Sequence, residues 1–369
     1  MRASNIIILV DMIYEGFNMS ERNPYAISFG RVPNQYISRN LLIDDIVDTL
    51  ESDIVEEQAF KITGIRGTGK TVTLTAIEKR LNAEKNWIVV DLKPGNDLTV
   101  DLVATLYSKI PFLTKYIDTN LNLNAFGIGI STSKKSPVAS IDVALEQLLK
   151  EVQKKKMKVL VAIDEVRKTD ALVDFIQEFQ ILIREEYPIY LIVAGLYEDI
   201  DSIENTDGLT FFLRATRCEM TPLNIMLIKE DYKKTLGIND DVALELATLT
   251  KGYAFAYQAF GKYMWELGEK KISSMVLALV DEALSQKVYK KIWSELSELD
   301  RWFLSFIVEK DQMTATELLE ITKKKHNEWS IPRKRLIDKG IIDGSKRGII
   351  SLKLPRFKEF VQQVEANLL

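Results

Sequence analysis

The 369-residue chain has one cysteine, Cys218, and one histidine, His326. A lone cysteine excludes an intrachain disulfide framework, and the pair cannot build a Cys/His zinc site. The same scarcity leaves little room for Cys-His or Ser-His-Asp nucleophilic catalysis. Long apolar runs are missing too. The N-terminal run at 6–10 is ended by Asp11, short of the roughly 7–15 residues of a secretory core and the roughly 20 of a spanning helix. No membrane partner is expected, and residues 1–22 read as a leader that the fold does not need. Thiol poverty fits a reducing compartment, so a cytoplasmic location is expected. Any chemistry must rest on carboxylates, Lys/Arg, backbone amides or a hard metal ion.

What remains is rich in core-forming material. The chain is 46% hydrophobic and 28% charged, enough for two or three packed domains of ordinary size. Its formal net charge of −4 hides an asymmetry. Residues 323–358 hold twelve Lys/Arg against Glu328, Asp338 and Asp343, so the rest of the chain is strongly acidic.

Continuously apolar runs at 60–63, 87–92, 159–163 and 189–194 alternate with segments at 71–82, 98–110, 141–155 and 171–186 that carry apolar residues three and four apart. Uninterrupted apolar strands suit burial on both faces, and strand–helix alternation predicts a parallel α/β sheet flanked by helices. A fifth strand is expected around 216–220. After Thr221-Pro222 only helical spacing follows to about Gln286. Helical runs are then expected at 292–308, 314–325 and 329–339, and a β-hairpin at 341–354 around the basic tip Gly344-Ser-Lys-Arg-Gly348. Three helices and a hairpin are the order of a winged helix. The predicted division is an α/β domain over 23–221, a helical lid over 222–286 and a winged-helix domain over 287–369. Residues 121–136 read as an inserted β-prone hairpin.

One motif stands out. Gly64, Ile65, Arg66, Gly67, Thr68, Gly69, Lys70 and Thr71 match G-x-x-x-x-G-K-[ST], the Walker A phosphate loop, between a predicted strand and a predicted helix. Glycines let successive backbone N–H groups turn toward phosphate oxygens, and the following helix adds its positive end, with Val72 in its first turn. Lys70 is placed to reach the β- and γ-phosphates and the Thr71 hydroxyl to ligate Mg²⁺. The apolar run 159–163 ends in Asp164-Glu165. Strand ends of a parallel sheet converge on the ligand crevice, which predicts Asp164 in the Mg²⁺ shell and Glu165 polarising the attacking water. The implied cofactors are ATP/ADP and Mg²⁺, and the implied catalytic set includes Lys70 and Glu165.

These residues resemble the P-loop ATPases of the AAA+ and STAND superfamilies, and within them the origin-recognition/initiator-like ATPases with a C-terminal winged helix. The stretch from Asn23-Pro-Tyr25 through Gly30-Arg-Val-Pro33 to Tyr36-Ile-Ser-Arg39 is similar to that family's N-terminal segment. The resemblance implies that Val32, Pro33 and Ile37 lie against the adenine. It also implies an arginine acting on the γ-phosphate in cis or from a neighbouring subunit, with Arg214 the best match and Arg217 second. Two departures are visible. The fourth strand ends in Gly195-Leu196 without a polar sensor, and Ala254 stands where STAND relatives carry proline. Both leave room for a slow hydrolase or a nucleotide-locked switch.

In a winged helix the third helix enters the major groove and the wing touches the backbone. The candidate double-stranded DNA contacts are therefore Lys323, Lys324, Lys325, Arg333, Lys334, Arg335 and Lys339, with Lys346 and Arg347 in the wing. So many cations would give salt-sensitive, largely sequence-independent binding. The other reading of the same module is protein docking with a solvated basic face, as in a STAND-like signalling or phage-defence switch.

Overall fold

Five segments lie side by side as one parallel sheet in the computed structural model, which describes residues 22–28, 33–52, 57–95, 97–109, 141–310, 312–323, 326–346 and 348–366. The strands are β1 (Ala59–Thr63), β2 (Trp87–Leu92), β3 (Lys158–Ile163), β4 (Ile189–Gly195) and β5 (Thr216–Glu219), in the order β2-β3-β4-β1-β5. Every pairing in this sheet is parallel. β1 to β4 each start and stop within one residue of the apolar run that predicts them, because a strand covered on both faces has no polar alternation to blur its ends; β5, Thr-Arg-Cys-Glu, is an edge strand and largely exposed.

Alternate strand residues point to opposite faces. Ile88, Val90, Val159, Val161, Leu191 and Val193 pack under α3 (Leu98–Lys109), α4 (Ile141–Lys154) and α5 (Asp170–Arg184). Val89, Leu160, Ala162 and Ile192 pack under α1 (Asn40–Glu51) and α2 (Lys70–Asn82). Lys61, in the middle of β1, is fully buried. A buried ammonium needs partners, and it donates to the Phe212 carbonyl at 2.7 Å and pairs with Glu204 at 2.7 Å. That ties β1 to α6 (Tyr197–Glu204) and α7 (Thr210–Arg214).

Past β5 the chain is helical: α8 (Ile225–Leu236), α9 (Asp240–Leu249), α10 (Ala254–Leu267) and α11 (Ser274–Leu284). Asn224, Asn239 and Ser273 cap three of these with side-chain oxygens on free N–H groups. Helix α11 runs on through a π turn, Ser285–Tyr289, into α12 (Lys290–Ser294). The single helical run expected at 292–308 is two helices. Ser297 opens α13 (Glu298–Lys310) by capping the Asp300 N–H at 3.2 Å while Asp300 accepts from the Ser297 N–H at 3.2 Å, a reciprocal cap that breaks the chain direction.

The C-terminal segment continues with β6 (Gln312–Thr314), α14 (Ala315–Thr322), α15 (His326–Asp338), β7 (Ile342–Asp343), β8 (Ile349–Leu352) and α16 (Phe357–Ala366). The three strands form an antiparallel sheet in the order β6-β8-β7. Strand β6 and helix α16 are additions to the sequence expectation. Helix α16 sets Phe357 and Phe360 against Tyr289, ring centroids 5.0 and 5.6 Å apart. One apolar core runs from Leu223 to Val361 without a break and takes in Tyr25 from the N-terminal segment. Among the described residues no helix is long and apolar enough to cross a membrane. The 121–136 insertion and residues 1–21 lie outside the described residues.

Candidate functional site

Between β1 and α2 the backbone turns through left-handed conformations at Gly67 (φ +76°) and Gly69 (φ +94°), which only glycine adopts without strain. Neighbours hold the turn from three sides. Arg39 donates to the Thr68 and Thr221 carbonyls, the Phe255 N–H to the Gly67 carbonyl, and the Tyr253 hydroxyl to the Arg66 carbonyl. Thr68 donates from its hydroxyl to the Ile65 carbonyl at 2.8 Å. The loop is thus clasped by Arg39 and by the start of α10, and its Ile65 packs against the helical core.

Lys70 opens α2, and its ammonium bonds the Gly64 and Ile65 carbonyls at 2.7 and 3.1 Å. Burial lowers its pKa to about 8, with Arg66 adding to the shift and Asp164, Glu165 and Asp199 opposing it. Ninety-four residues on, the end of β3 delivers the acidic pair. The Thr71 hydroxyl donates to Asp164 Oδ2 at 2.6 Å, and Asp164 Oδ1 accepts from the Glu165 N–H at 2.8 Å. Glu165 sits at φ +53°, a region where a non-glycine residue is strained and which recurs at functional sites. Burial, with Asp91 and Asp164 nearby, also raises the Glu78 carboxyl to about 7.

These groups open onto a cavity of about 930 Å³, the size of a nucleotide-scale ligand site. Arg66, Gly67, Gly69, Lys70, Thr71 and Val72 line it, facing Asp164 and Glu165. Gly64, Ile65 and Thr68 stand behind the lining and shape the turn; a Cβ on Gly64 would lie 2.8 Å from Met220. Pro33 lines the cavity, whereas Ile37 lines a small adjoining cavity of about 60 Å³ that shares Pro33 and Val72. Val32 lies outside the described residues. Gln258 fixes this wall by accepting from the Ala26 N–H at 2.9 Å and donating to the Gln35 carbonyl at 2.7 Å. A hydroxyl and one carboxylate meeting at 2.6 Å suit Mg²⁺, which takes few protein ligands and completes its shell with phosphate and water.

Arg214 ends α7, exposed and outside the cavity lining. Arg217 is engaged elsewhere, pairing with Asp201 at 2.7 Å and Glu204 at 3.4 Å.

The basic C-terminal residues divide into two sets. Lys323, Lys334 and Lys346 are exposed, and Arg333 is partly buried beside Gly344. Arg335 instead reaches Asp300 at 2.7 Å and Ser297 at 2.9 Å, and Lys339 pairs with Glu198 of α6 at 2.8 Å. Lys324, Lys325 and Arg347 lie outside the described residues.

Sequence reasoning missed several residues at the cavity. Lys287 and Lys291, from the π turn and α12, line it, as does Arg167. The i, i+4 spacing of the two lysines marks one helix face, and nothing in the sequence says which way that face points. Arg39 was visible only as part of an N-terminal pattern; its bonds to the loop come from the fold.

A model of a domain of unknown function, DUF8462, matches residues 286–361. No curated protein sequence matches the chain. Among solved structures, the ORC2 protein of Aeropyrum pernix in ADPNP–ADP complexes is 14% identical, with 93% of this chain and 98% of that one covered and a TM-score of 0.56. Cdc6p of Pyrobaculum aerophilum is 15% identical over 93% of this chain and 98% of that one, with a TM-score of 0.45. At such identities likeness speaks to architecture, and the chain has a P-loop NTPase fold like that of the ORC/Cdc6 ATPases: a five-stranded parallel sheet flanked by helices, followed by helical segments.

Proposed function

We propose that the chain binds and hydrolyses Mg·ATP as an AAA+/STAND-like ATPase, and that its nucleotide state controls DNA binding through a C-terminal winged helix. The observation that carries this reading is the contact of Thr71 with Asp164 at 2.6 Å, beside a glycine-built turn and a buried lysine on one nucleotide-sized cavity. The bound ADPNP and ADP of the Aeropyrum ORC2 structure support an adenine nucleotide as the occupant. The loop amides and Lys70 would hold the β- and γ-phosphates. Thr71 and Asp164 would hold Mg²⁺, which neutralises phosphate charge when bound. Glu165 would orient the attacking water and accept its proton. Arg214, exposed and outside the lining of its own cavity, would serve a second copy, so self-association would complete the site. Lys323, Arg333, Lys334 and Lys346 would lie along the DNA backbone, together with Lys324, Lys325 and Arg347.

A second reading has its own support. Because Arg335 and Lys339 are engaged within the chain, part of the basic face is unavailable to phosphates, as in a STAND-like switch whose C-terminal module docks protein. Two measurements test these readings. Glu165→Gln should retain ATP and lose about 100-fold in turnover, the scale of a general base; turnover equal to wild type removes Glu165 from the mechanism. Fluorescence anisotropy with duplex DNA should show ATP-modulated affinity falling steeply with salt. No binding at low salt, with or without ATP, makes the protein-docking switch the better account.

A further inference from the structure

The C-terminal segment does not merely follow the nucleotide domain; it touches the phosphate loop. Arg66, inside the loop, pairs through Nη2 with Glu295 Oε1 at 3.2 Å, and Lys291 pairs with the same oxygen at 3.2 Å. Both cations line the 930 Å³ cavity. Glu295 sits just past the end of α12, in the stretch that joins the helical segment to the C-terminal module. Two more contacts press the module onto the loop and the start of α6. Lys339 holds Glu198, and Gly340 lies so close that a Cβ there would be 3.2 Å from the Tyr197 ring and 3.8 Å from Ile65.

Arg66 is incompletely satisfied in this arrangement. Among the described residues its buried Nε has no hydrogen-bond partner, and its one ion pair there is to a single carboxylate oxygen at the long end of the range for charged pairs. A phosphate group entering the same cavity offers three oxygens, more negative charge and bidentate geometry for a guanidinium. Phosphate should therefore outcompete Glu295 for Arg66 and Lys291.

Resting on the nucleotide-binding reading of this cavity, we infer that Glu295 is an internal stand-in for the terminal phosphate of a nucleoside triphosphate. It holds the C-terminal module against the phosphate loop, and the triphosphate displaces it and loosens that docking. Lys287 and Lys291, on the π turn and α12 ahead of the module, become phosphate contacts that stay in place when the module loosens. A ligand shifts such an equilibrium only through its different affinity for the two states, and the coupling is reciprocal. Whatever factor the triphosphate takes from docking, removal of the Glu295 charge must return to triphosphate affinity.

The test uses the full chain and equilibrium titration with the fluorescent analogues mant-ATP and mant-ADP, with hydrogen exchange at residues 339–341 as the docking readout. Glu295→Gln should bind mant-ATP about tenfold more tightly, the order of one charge-assisted contact, and gain less for mant-ADP. Lys291→Ala should weaken mant-ATP. In wild type, mant-ATP should speed exchange at 339–341 more than mant-ADP does, and in Glu295→Gln exchange should be fast without nucleotide. Glu295→Asp, which keeps the charge on a shorter arm, serves if Glu295→Gln does not fold and should tighten mant-ATP by a smaller factor. Mant-ATP affinities within about twofold of wild type in these Glu295 variants, with wild type binding normally, overturn the inference and leave the nucleotide reading intact. Wild type that binds neither analogue overturns both.

Discussion

The phosphate loop and the basic C-terminal segment were both conspicuous in the sequence, yet they differ in how much their residues reveal. In the loop, nucleotide binding would be carried by backbone geometry. Glycines at 67 and 69 take positive φ, and the one side chain that must arrive from far away, Asp164, is delivered by the register of a parallel sheet. In the C-terminal segment function would be carried by surface charge, and charge has no geometry of its own. Arg335 and Lys334 are neighbours in the sequence, but one is spent on Asp300 while the other faces solvent. A motif made of main-chain conformation keeps its meaning wherever the fold puts it; a run of cations acquires meaning only after the fold has used some of them.

This contrast can be broken or sharpened by substitution. The largest effect is expected at Lys70. Lys70→Ala removes the ammonium that would meet the β- and γ-phosphates and should lower nucleotide affinity by about 10- to 150-fold, since a hydrogen bond to a charged group contributes about 1.5–3 kcal/mol. Mant-ATP titration checks it; a loss of only a few-fold would mean that the loop does not grip phosphate through this residue.

The next two variants, one single and one double, test whether adjacent cations really do different work. Arg335→Ala strands the buried Asp300 carboxylate, only 3% exposed, and should destabilise the fold by about 2 kcal/mol, read from urea unfolding. Reversal of Lys334 and Lys346 to Glu should leave stability within about 0.5 kcal/mol yet lower duplex DNA affinity by about tenfold and flatten its salt dependence. The opposite pattern would erase the division of the basic set.

The smallest effect is a pH dependence. Folding depresses the Lys70 pKa to about 8 from 10.5, so the charged form is disfavoured in the fold. That cost is full below pH 8 and fades as the pH rises toward 10.5; this group therefore makes the fold slightly more stable across that window. Phosphate favours the ammonium, so nucleotide binding above pH 8 should take up a proton and weaken by several-fold toward pH 10. Calorimetry near pH 8.5 in two buffers of different ionisation enthalpy measures the uptake, and none is expected from Lys70→Ala.

Legibility in the sequence followed the same divide. The first four strands could be read almost to the residue, because strands covered on both faces are continuously apolar. The break at 295–297 could not, because apolar spacing persists across it and only the Ser297–Asp300 cap interrupts the helix. At the site, Thr71 and Asp164 were legible as a pair because strand ends of a parallel sheet converge. Arg66 and Glu295 were not: they lie 229 residues apart and belong to segments whose docking no periodicity encodes. Lys61 shows the limit in the other direction, a charge inside a strand whose partner, Glu204, comes from a helix three strands later in the chain.

The left-handed backbone at Glu165 bears on how this chain can drift over generations. Glycine or asparagine would relax the residue, a relief of about 1 kcal/mol or more, so selection for folding alone would steadily replace the acid there. A carboxylate that persists at this position through a lineage is therefore a record of use, and its exchange for glycine or asparagine in a descendant would mark a protein that has kept the architecture and given up turnover.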